Sequence, residues 1–387
     1  MNSAAKTVLI LGGGFGGIVA ACRLRQALPR QHRVILVERE ATHVFAPSLL
    51  WLMIGERKPN AISRPIAALA KRGIEVVRGN IEKIDPARRT VSVNGREFAG
   101  DYMIVALGAE LAPELVPGLA AAGHNFYTLA GAESLRDARL KLDQGRIVVL
   151  VSAMPFKCPG APNEAAMLLE YDCRRRGIRK EVGVDLYTAE PGPMPVAGQT
   201  VSAALRQMIE SKGIGYHPNH SVTAVDAALR RISFANGASA EFDLLAYIPP
   251  HRAPQVVRDA GMCGESGWIP IDRETMATKF PEVFAIGDVT GIMLTSIGKP
   301  LPKAGVFAHY EAEVLAHNIA CAITGKGTPK RFSGDGECFL ESGDGRAGFG
   351  GGDFYANPAP QIVLKPPSVM RHLGKVLYEK YWLFRWF

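Results

Sequence analysis

Residues 7–17 read TVLILGGGFGG, and no other stretch limits the fold so tightly. Thr7–Leu11 is a short β-branched and apolar run, the pattern of a buried strand. Gly12-Gly13-Gly14-Phe15-Gly16-Gly17 follows, then a helix-like segment with small residues at Ala20 and Ala21. A second apolar run, Val34–Val37, ends at Glu38. Strand, G-x-G-x-x-G, helix, strand and terminal acid in this order form a unit that binds a dinucleotide. Gly12 permits the tight turn, Gly14 lets the backbone approach a pyrophosphate, and Gly17 lets the helix pack on the strand. Phe15 stands at the helix start, whose amides face the phosphates. Glu38, 21 residues past Gly17, is placed to accept hydrogen bonds from both ribose hydroxyls and disfavours a 2′-phosphate.

Two later segments favour FAD over NAD. Tyr102–Ala109 (YMIVALGA) is a strand entering a small-residue turn at Gly108, after a β-rich stretch. Val283–Asp288 (VFAIGD) is a strand ending in Gly-Asp. Both resemble signatures of flavoproteins with two dinucleotide-binding-type domains. In those proteins the Asp of the Gly-Asp pair holds the ribityl or phosphate part of FAD, a role that falls here on Asp288.

A pyridine-nucleotide member of that family carries a second glycine loop after the first strand of its second domain. The corresponding strand here is Arg146–Val151, but Ser152–Glu164 (SAMPFKCPGAPNE) has one Gly, three Pro and Cys158. Proline donates no backbone hydrogen bond, so this loop does not cradle a pyrophosphate. The electrons therefore come from something other than NAD(P)H. Cys158 precedes a helix-like segment, Asn163–Arg176, and follows Lys157. A helix N-terminus and a lysine are expected to lower the thiol pKa. Cys338 lies 180 residues further on, before the glycine-rich turn 343–352. Cys22 and Cys321 read as core residues, Cys173 and Cys263 as incidental.

Composition removes other classes. With 47% hydrophobic and 21% charged residues, a 387-residue chain buries its core without disulfides. Lys plus Arg exceed Asp plus Glu, 45 against 37, but form no basic run, so no nucleic-acid partner is expected. The six cysteines form no C-x-x-C pair, which opposes a zinc ribbon, and no metal site is expected. No apolar stretch is long enough to span a bilayer. Met1–Lys6 leads straight into a strand without the features of a signal peptide, and export is not expected.

Together these residues resemble the sulfide:quinone oxidoreductase family, with flavocytochrome c sulfide dehydrogenase flavoproteins as close cousins. The resemblance rests on Ile10–Gly17, Glu38, Lys157–Glu164, Ile248-Pro249-Pro250, Phe284–Asp288, Pro302–Gly305 and Cys338. It implies an α/β fold of two Rossmann-like domains and a redox pair, Cys158 and Cys338, facing the flavin. Hydrosulfide would attack the bridge between them, electrons would pass to FAD and then to quinone, and sulfur would leave as polysulfide. It implies an acid/base role for Glu164 and places Lys303 near the flavin pyrimidine edge, where a cation stabilises the anionic reduced flavin. His251 falls near the sulfur side as a candidate proton carrier. The chain departs from the pattern twice. Residues 123–134 lack the third cysteine of many members, which favours a two-cysteine subtype. Phe45–Trp51 lacks a cysteine for covalent attachment, so FAD is expected to be non-covalent.

The tail 368–387 (SVMRHLGKVLYEKYWLFRWF) follows a Pro-Pro break. Leu373, Val376, Leu377, Phe384 and Phe387 fall near one helical face, flanked by Trp382 and Trp386. Arg371, Lys375, Lys380 and Arg385 outnumber Glu379. Aromatic and basic amphipathic helices lie in the bilayer interface, so peripheral, monotopic attachment to the cell membrane is expected; docking on the core or on a second copy is the competing role. Tyr378 or Phe354 is a candidate for the quinone pocket. Three regions are expected: an FAD domain at 1–109 and 268–330, a second domain at 110–267 and a C-terminal sulfur, quinone and membrane region at 331–387. A homo-oligomer remains one open assembly. The rival activities are a flavoprotein subunit donating to a cytochrome and a type II NADH:quinone reductase.

Overall fold

The computed structural model describes residues 4–387. The chain runs through β1 (Thr7–Leu11), α1 (Phe15–Ala27), β2 (Arg33–Glu38), β3 (Glu75–Arg78) and β4 (Tyr102–Val105). It continues with β5 (His124–Asn125), β6 (Gly145–Val151), α2 (Ala161–Arg175), β7 (Val182–Thr188), β8 (Gly215–His217) and β9 (Leu244–Ile248). It returns through β10 (Val283–Ala285) and α3 (Gly305–Thr324), then closes with β11 (Asp335–Gly343), β12 (Arg346–Asp353), β13 (Gln361–Ser368) and α4 (Val369–Arg385).

Two five-stranded parallel sheets carry the fold. The first has the order β10-β4-β1-β2-β3 and the second β5-β9-β6-β7-β8. β1 and β6 each lie in the middle of their sheet, so the turns that leave them sit where strand order reverses. Ligands bind in that crevice. Parallel strands covered on both faces are near-continuous apolar runs, and Val8–Leu11 and Val148–Val151 are fully buried.

The glycine turn after β1 is fixed by close packing. Gly12 has φ +105°, and a Cβ there would lie 2.4 Å from the carbonyl oxygen of Ala106. A Cβ on Gly17 would lie 1.8 Å from the carbonyl oxygen of Gly12. Neither position accepts a side chain without moving backbone. α1 lies along α3, whose buried Ala312, Ala316 and Ala320 allow the approach.

β11, β12 and β13 form an antiparallel sheet that α2 and α4 cover. α4 is capped by the Ser368 hydroxyl, which accepts from the Arg371 N–H at 3.3 Å. Its inward stripe is Lys375, Glu379, Trp382 and Trp386, all buried. Its outward stripe is Met370, Leu373, Leu377, Tyr381 and Phe384, with Phe384 82% exposed and Leu377 68%. This corrects two expectations. Trp382 and Trp386 do not flank an outer face but fill the core of the first domain, and Lys375 is not a surface cation. The helix buries its charges because partners wait for them: Glu379 accepts from Ser48 Oγ at 2.5 Å and pairs with Arg57 at 2.9 Å. Among the described residues no helix is long and apolar enough to cross a membrane.

Candidate active site

One cavity of about 1100 Å³ joins the two crevices. Gly12–Gly14, Phe15, Glu38, Gly108 and Asp288 line one part of it; Cys158, Glu164, Cys338, Lys375 and Tyr378 line another.

At the glycine end, a Cβ on Gly14 would meet no protein atom within 4 Å, so the space above it is open for a ligand. The Glu38 carboxylate is held at both ends, accepting from Gly13 N at 2.5 Å and Glu40 N at 2.8 Å. Phe15 packs against Trp382 at 4.6 Å, and His43 stacks on Trp382 at 4.8 Å while its Nδ1 meets the Gly13 carbonyl at 3.1 Å. Burial pushes His43 down to about 4, so its ring is neutral at neutral pH. α4 thus braces the glycine loop from behind.

Asp288 Oδ1 is buried without a hydrogen-bond partner. Burial raises its carboxyl above the ordinary value, opposed by Lys157 and Lys303. A carboxylate oxygen left alone in a cavity wall is costly unless a ligand donor satisfies it. With the open space over Gly14 and the fixed Glu38, this donor set fits a flavin dinucleotide. Lys303 stands behind the wall rather than in it. Its Nζ donates to the carbonyls of Asp288 and Thr290, both at 2.8 Å, and lies 3.5 Å over the Trp268 ring. Burial lowers it to about 8. Lys157, not Lys303, lines the cavity there, as Lys375 does at the sulfur end.

Cys158 sits between β6 and α2 at φ +56°. Its N–H donates to the Lys303 carbonyl at 2.6 Å, and Tyr127 Oη donates to the Lys157 carbonyl at 2.7 Å. The next amides turn inward: Ala161 N donates to Cys158 O at 2.9 Å and Glu164 N to Gly160 O at 3.0 Å. A loop with prolines at 155, 159 and 162, and with the amides of Cys158, Ala161 and Glu164 already engaged, has few donors left to offer a pyrophosphate. Cys338 faces the same cavity from β11. Both thiols are free.

The lowered thiol pKa expected for Cys158 is not observed. Burial raises Cys158 well above the ordinary value, and Cys338 and Glu164 add to it. Cys338 is reached by solvent through the cavity, yet the surrounding protein desolvates it and pushes it up to about 12, with Glu164 adding. Desolvation outweighs the helix terminus and Lys157; the cation that opposes it at both sulfurs is Lys375. Cys338 is thus close enough to oppose the ionisation of Cys158.

Glu164 Oε1 accepts from Lys375 Nζ at 2.7 Å and from Glu341 N at 2.8 Å. Burial works against the Lys375 charge, but Glu164 and Glu341 outweigh it and hold its pKa above the ordinary lysine value. Burial raises Glu341, opposed by Lys375 and by His372, whose Nδ1 lies 3.0 Å from Glu341 Oε2. α4 therefore delivers Lys375 to the sulfur end and His372 to Glu341. The sequence reading missed them, because Lys375 was counted by charge on a surface helix. The signal that finds it is spacing: Lys375, Glu379, Trp382 and Trp386 fall at i, i+4, i+7 and i+11. Two other candidates sit elsewhere. His251 Nδ1 lies 2.8 Å from the Pro249 carbonyl, and burial pushes the ring down to about 3, so it is uncharged at neutral pH. Phe354 packs on Phe307 at 5.0 Å in the core.

The family described as pyridine nucleotide-disulphide oxidoreductase matches residues 6–311. The sulfide-quinone reductase of Aquifex aeolicus is 29% identical, with 98% of this chain and 91% of that protein covered. The mitochondrial sulfide:quinone oxidoreductase of Mus musculus is 25% identical, with 91% of this chain and 79% of that protein covered. The X-ray structure of the sulfide:quinone oxidoreductase from Aquifex aeolicus superimposes with a TM-score of 0.89 at 26% identity, covering 99% of this chain and 91% of that one.

Proposed function

The chain belongs to the pyridine nucleotide-disulphide oxidoreductase family, and within it we propose that it oxidises sulfide with a flavin and passes the electrons to quinone. The observation that carries this is one cavity holding Cys158 and Cys338 where a second nucleotide loop would stand. The similarity to sulfide:quinone oxidoreductases over nearly the whole chain supports it.

FAD fits as a non-covalent cofactor held by Gly12, Gly14, Phe15, Gly17, Glu38, Gly108 and Asp288, with Lys303 bracing the Asp288 backbone. When bound it supplies the two-electron acceptor between sulfide and quinone. In the working state Cys158 and Cys338 share a disulfide or sulfur bridge. Hydrosulfide attacks one bridge sulfur; one S–S bond forms, one breaks, and a persulfide and a thiolate remain on the pair. Lys375 stabilises that thiolate, since it lowers both thiols. Glu164 fixes Lys375 and serves as the acid/base group for the hydrosulfide proton. The thiols are protonated when idle, so hydrosulfide is the attacking nucleophile.

The quinone lies beside Tyr378. On α4 this residue and Lys375 line the cavity while Leu377 and Phe384 point outward, so the cavity is one helix away from an apolar surface. That surface rests in the bilayer interface as a peripheral, monotopic attachment. The division into an FAD region (1–109 and 268–330), a second domain (110–267) and a C-terminal region (331–387) belongs to the same proposal. The test is anaerobic titration of the purified flavoprotein: sulfide bleaches the flavin and a quinone restores it. Bleaching by NADH and not by sulfide overturns the proposal.

A further inference from the structure

α3 sets Glu311 against the turn that carries Asp288. The Glu311 side chain is 1% exposed, and its Oε2 accepts a hydrogen bond from Gly287 N at 2.7 Å. Gly287 has φ +74°, and a Cβ there would come within 2.9 Å of the Ala308 Cβ, so the turn is seated directly on the helix. Nothing in the sulfur chemistry above requires this carboxylate. Asp288, the residue next to its hydrogen-bond donor, is a second enclosed carboxylate, and two such groups resist being charged together.

The ionisable groups facing Glu311 are few. Asp288 comes from the turn, Lys303 from the segment leading into α3, and Tyr355 from beyond β12. Lys157 reaches Asp288 from the cysteine loop. Burial and then Asp288 push Glu311 up to about 7, against the Gly287 N–H and Lys303.

We propose that Glu311 takes up a proton when the bound flavin is reduced and gives it up when the flavin is reoxidised. This rests on the flavin assignment above. Two-electron reduction places one proton on the flavin and leaves it anionic. The negative charge that the reduced cofactor would carry in the cavity lined by Gly287 and Asp288 would favour the neutral form of Glu311, which accepts from Gly287 on the far side of that turn and would draw a second proton from solvent. Flavin and Glu311 carboxylate thus gain two electrons and two protons. Quinone needs two electrons and two protons to become quinol, so reoxidation returns both groups to their starting state.

The experiment is a redox titration of the FAD-loaded protein followed by flavin absorbance across neutral pH. Each proton coupled to a two-electron couple tilts the midpoint potential by ~30 mV per pH unit. The wild-type slope is expected to steepen from ~30 mV per pH unit below neutrality, where Glu311 is already protonated, toward ~60 mV per pH unit above it, while Glu311→Gln stays at ~30 mV per pH unit throughout. The amide oxygen of Gln still accepts from Gly287, so the turn is preserved. Equal slopes in the two proteins overturn the proposal. If Glu311→Gln does not retain flavin, protons counted with an indicator dye during wild-type reduction above neutral pH decide: a count rising from one toward two per flavin supports it and one overturns it. A wild type that holds no flavin overturns the cofactor assignment as well, which separates the two failures.

Discussion

Replacing Lys375 with Met removes the cation at the centre of the sulfur end. The Lys375 and Glu164 side chains are 5% and 2% exposed and lie 2.7 Å apart. Taking one partner from a buried ion pair strands the other charge, at a cost of ~3–5 kcal/mol. Glu341 keeps His372 and softens the loss only on its own side. With a urea m value of ~3 kcal/mol per molar, the unfolding midpoint drops by ~1–1.7 M. Glu164→Gln combined with Lys375→Met strands no carboxylate at position 164. The double variant therefore recovers much of the loss, with a coupling of ~1–3 kcal/mol. The pH profile follows from the raised Lys375 pKa. The pair's contribution is fully present below the ordinary value of 10.5 and is lost as pH rises through the higher folded value. The deficit of Lys375→Met is therefore constant through neutral pH and shrinks above 10.5. Urea unfolding at neutral and alkaline pH measures all of this. A loss under ~1 kcal/mol, or a double variant that loses the sum of the singles, refutes the reasoning.

Gly14→Ala is expected to fold normally, since its Cβ meets no protein atom, but to crowd the cofactor by ~1–3 kcal/mol; flavin retention on dialysis measures this, and undiminished retention counts against the cradle. Phe384→Glu is expected to change stability by less than ~0.5 kcal/mol and to lower vesicle binding by the ~1.5–3 kcal/mol of an apolar side chain leaving lipid. Co-sedimentation with anionic vesicles checks it, and unchanged pelleting removes the attachment face. This variant is cleaner than deleting the tail, because Trp382 and Trp386 hold the core together.

The first βαβ unit was legible because its constraints are local. Gly12 and Gly17 have no room for a side chain, and β1 and β2 are apolar along their length, so spacing alone exposes them. The cysteine loop was legible for the opposite reason: three prolines and a thiol stand where amide donors would be required. Its electrostatics were not legible. A helix terminus and a neighbouring lysine can be read from sequence, whereas the desolvation that dominates Cys158 and Cys338 depends on β11 and α4, far along the chain. α4 shows the same limit. Its apolar face is visible in the sequence, and Leu377 and Phe384 stand exposed on it, but composition places Lys375 outward and Trp382 and Trp386 on the flanks of that face. Lys375 and Glu379 turn inward because Glu164, Glu341, Ser48 and Arg57 supply partners that only the folded chain brings together.

Cys158→Ser, loaded with FAD and mixed anaerobically with sulfide, tests the central claim most directly. The flavin is expected to stay bound and oxidised, while the wild type bleaches under the same conditions. Bleaching of the variant at the wild-type rate would contradict the assignment of this thiol to the sulfur chemistry.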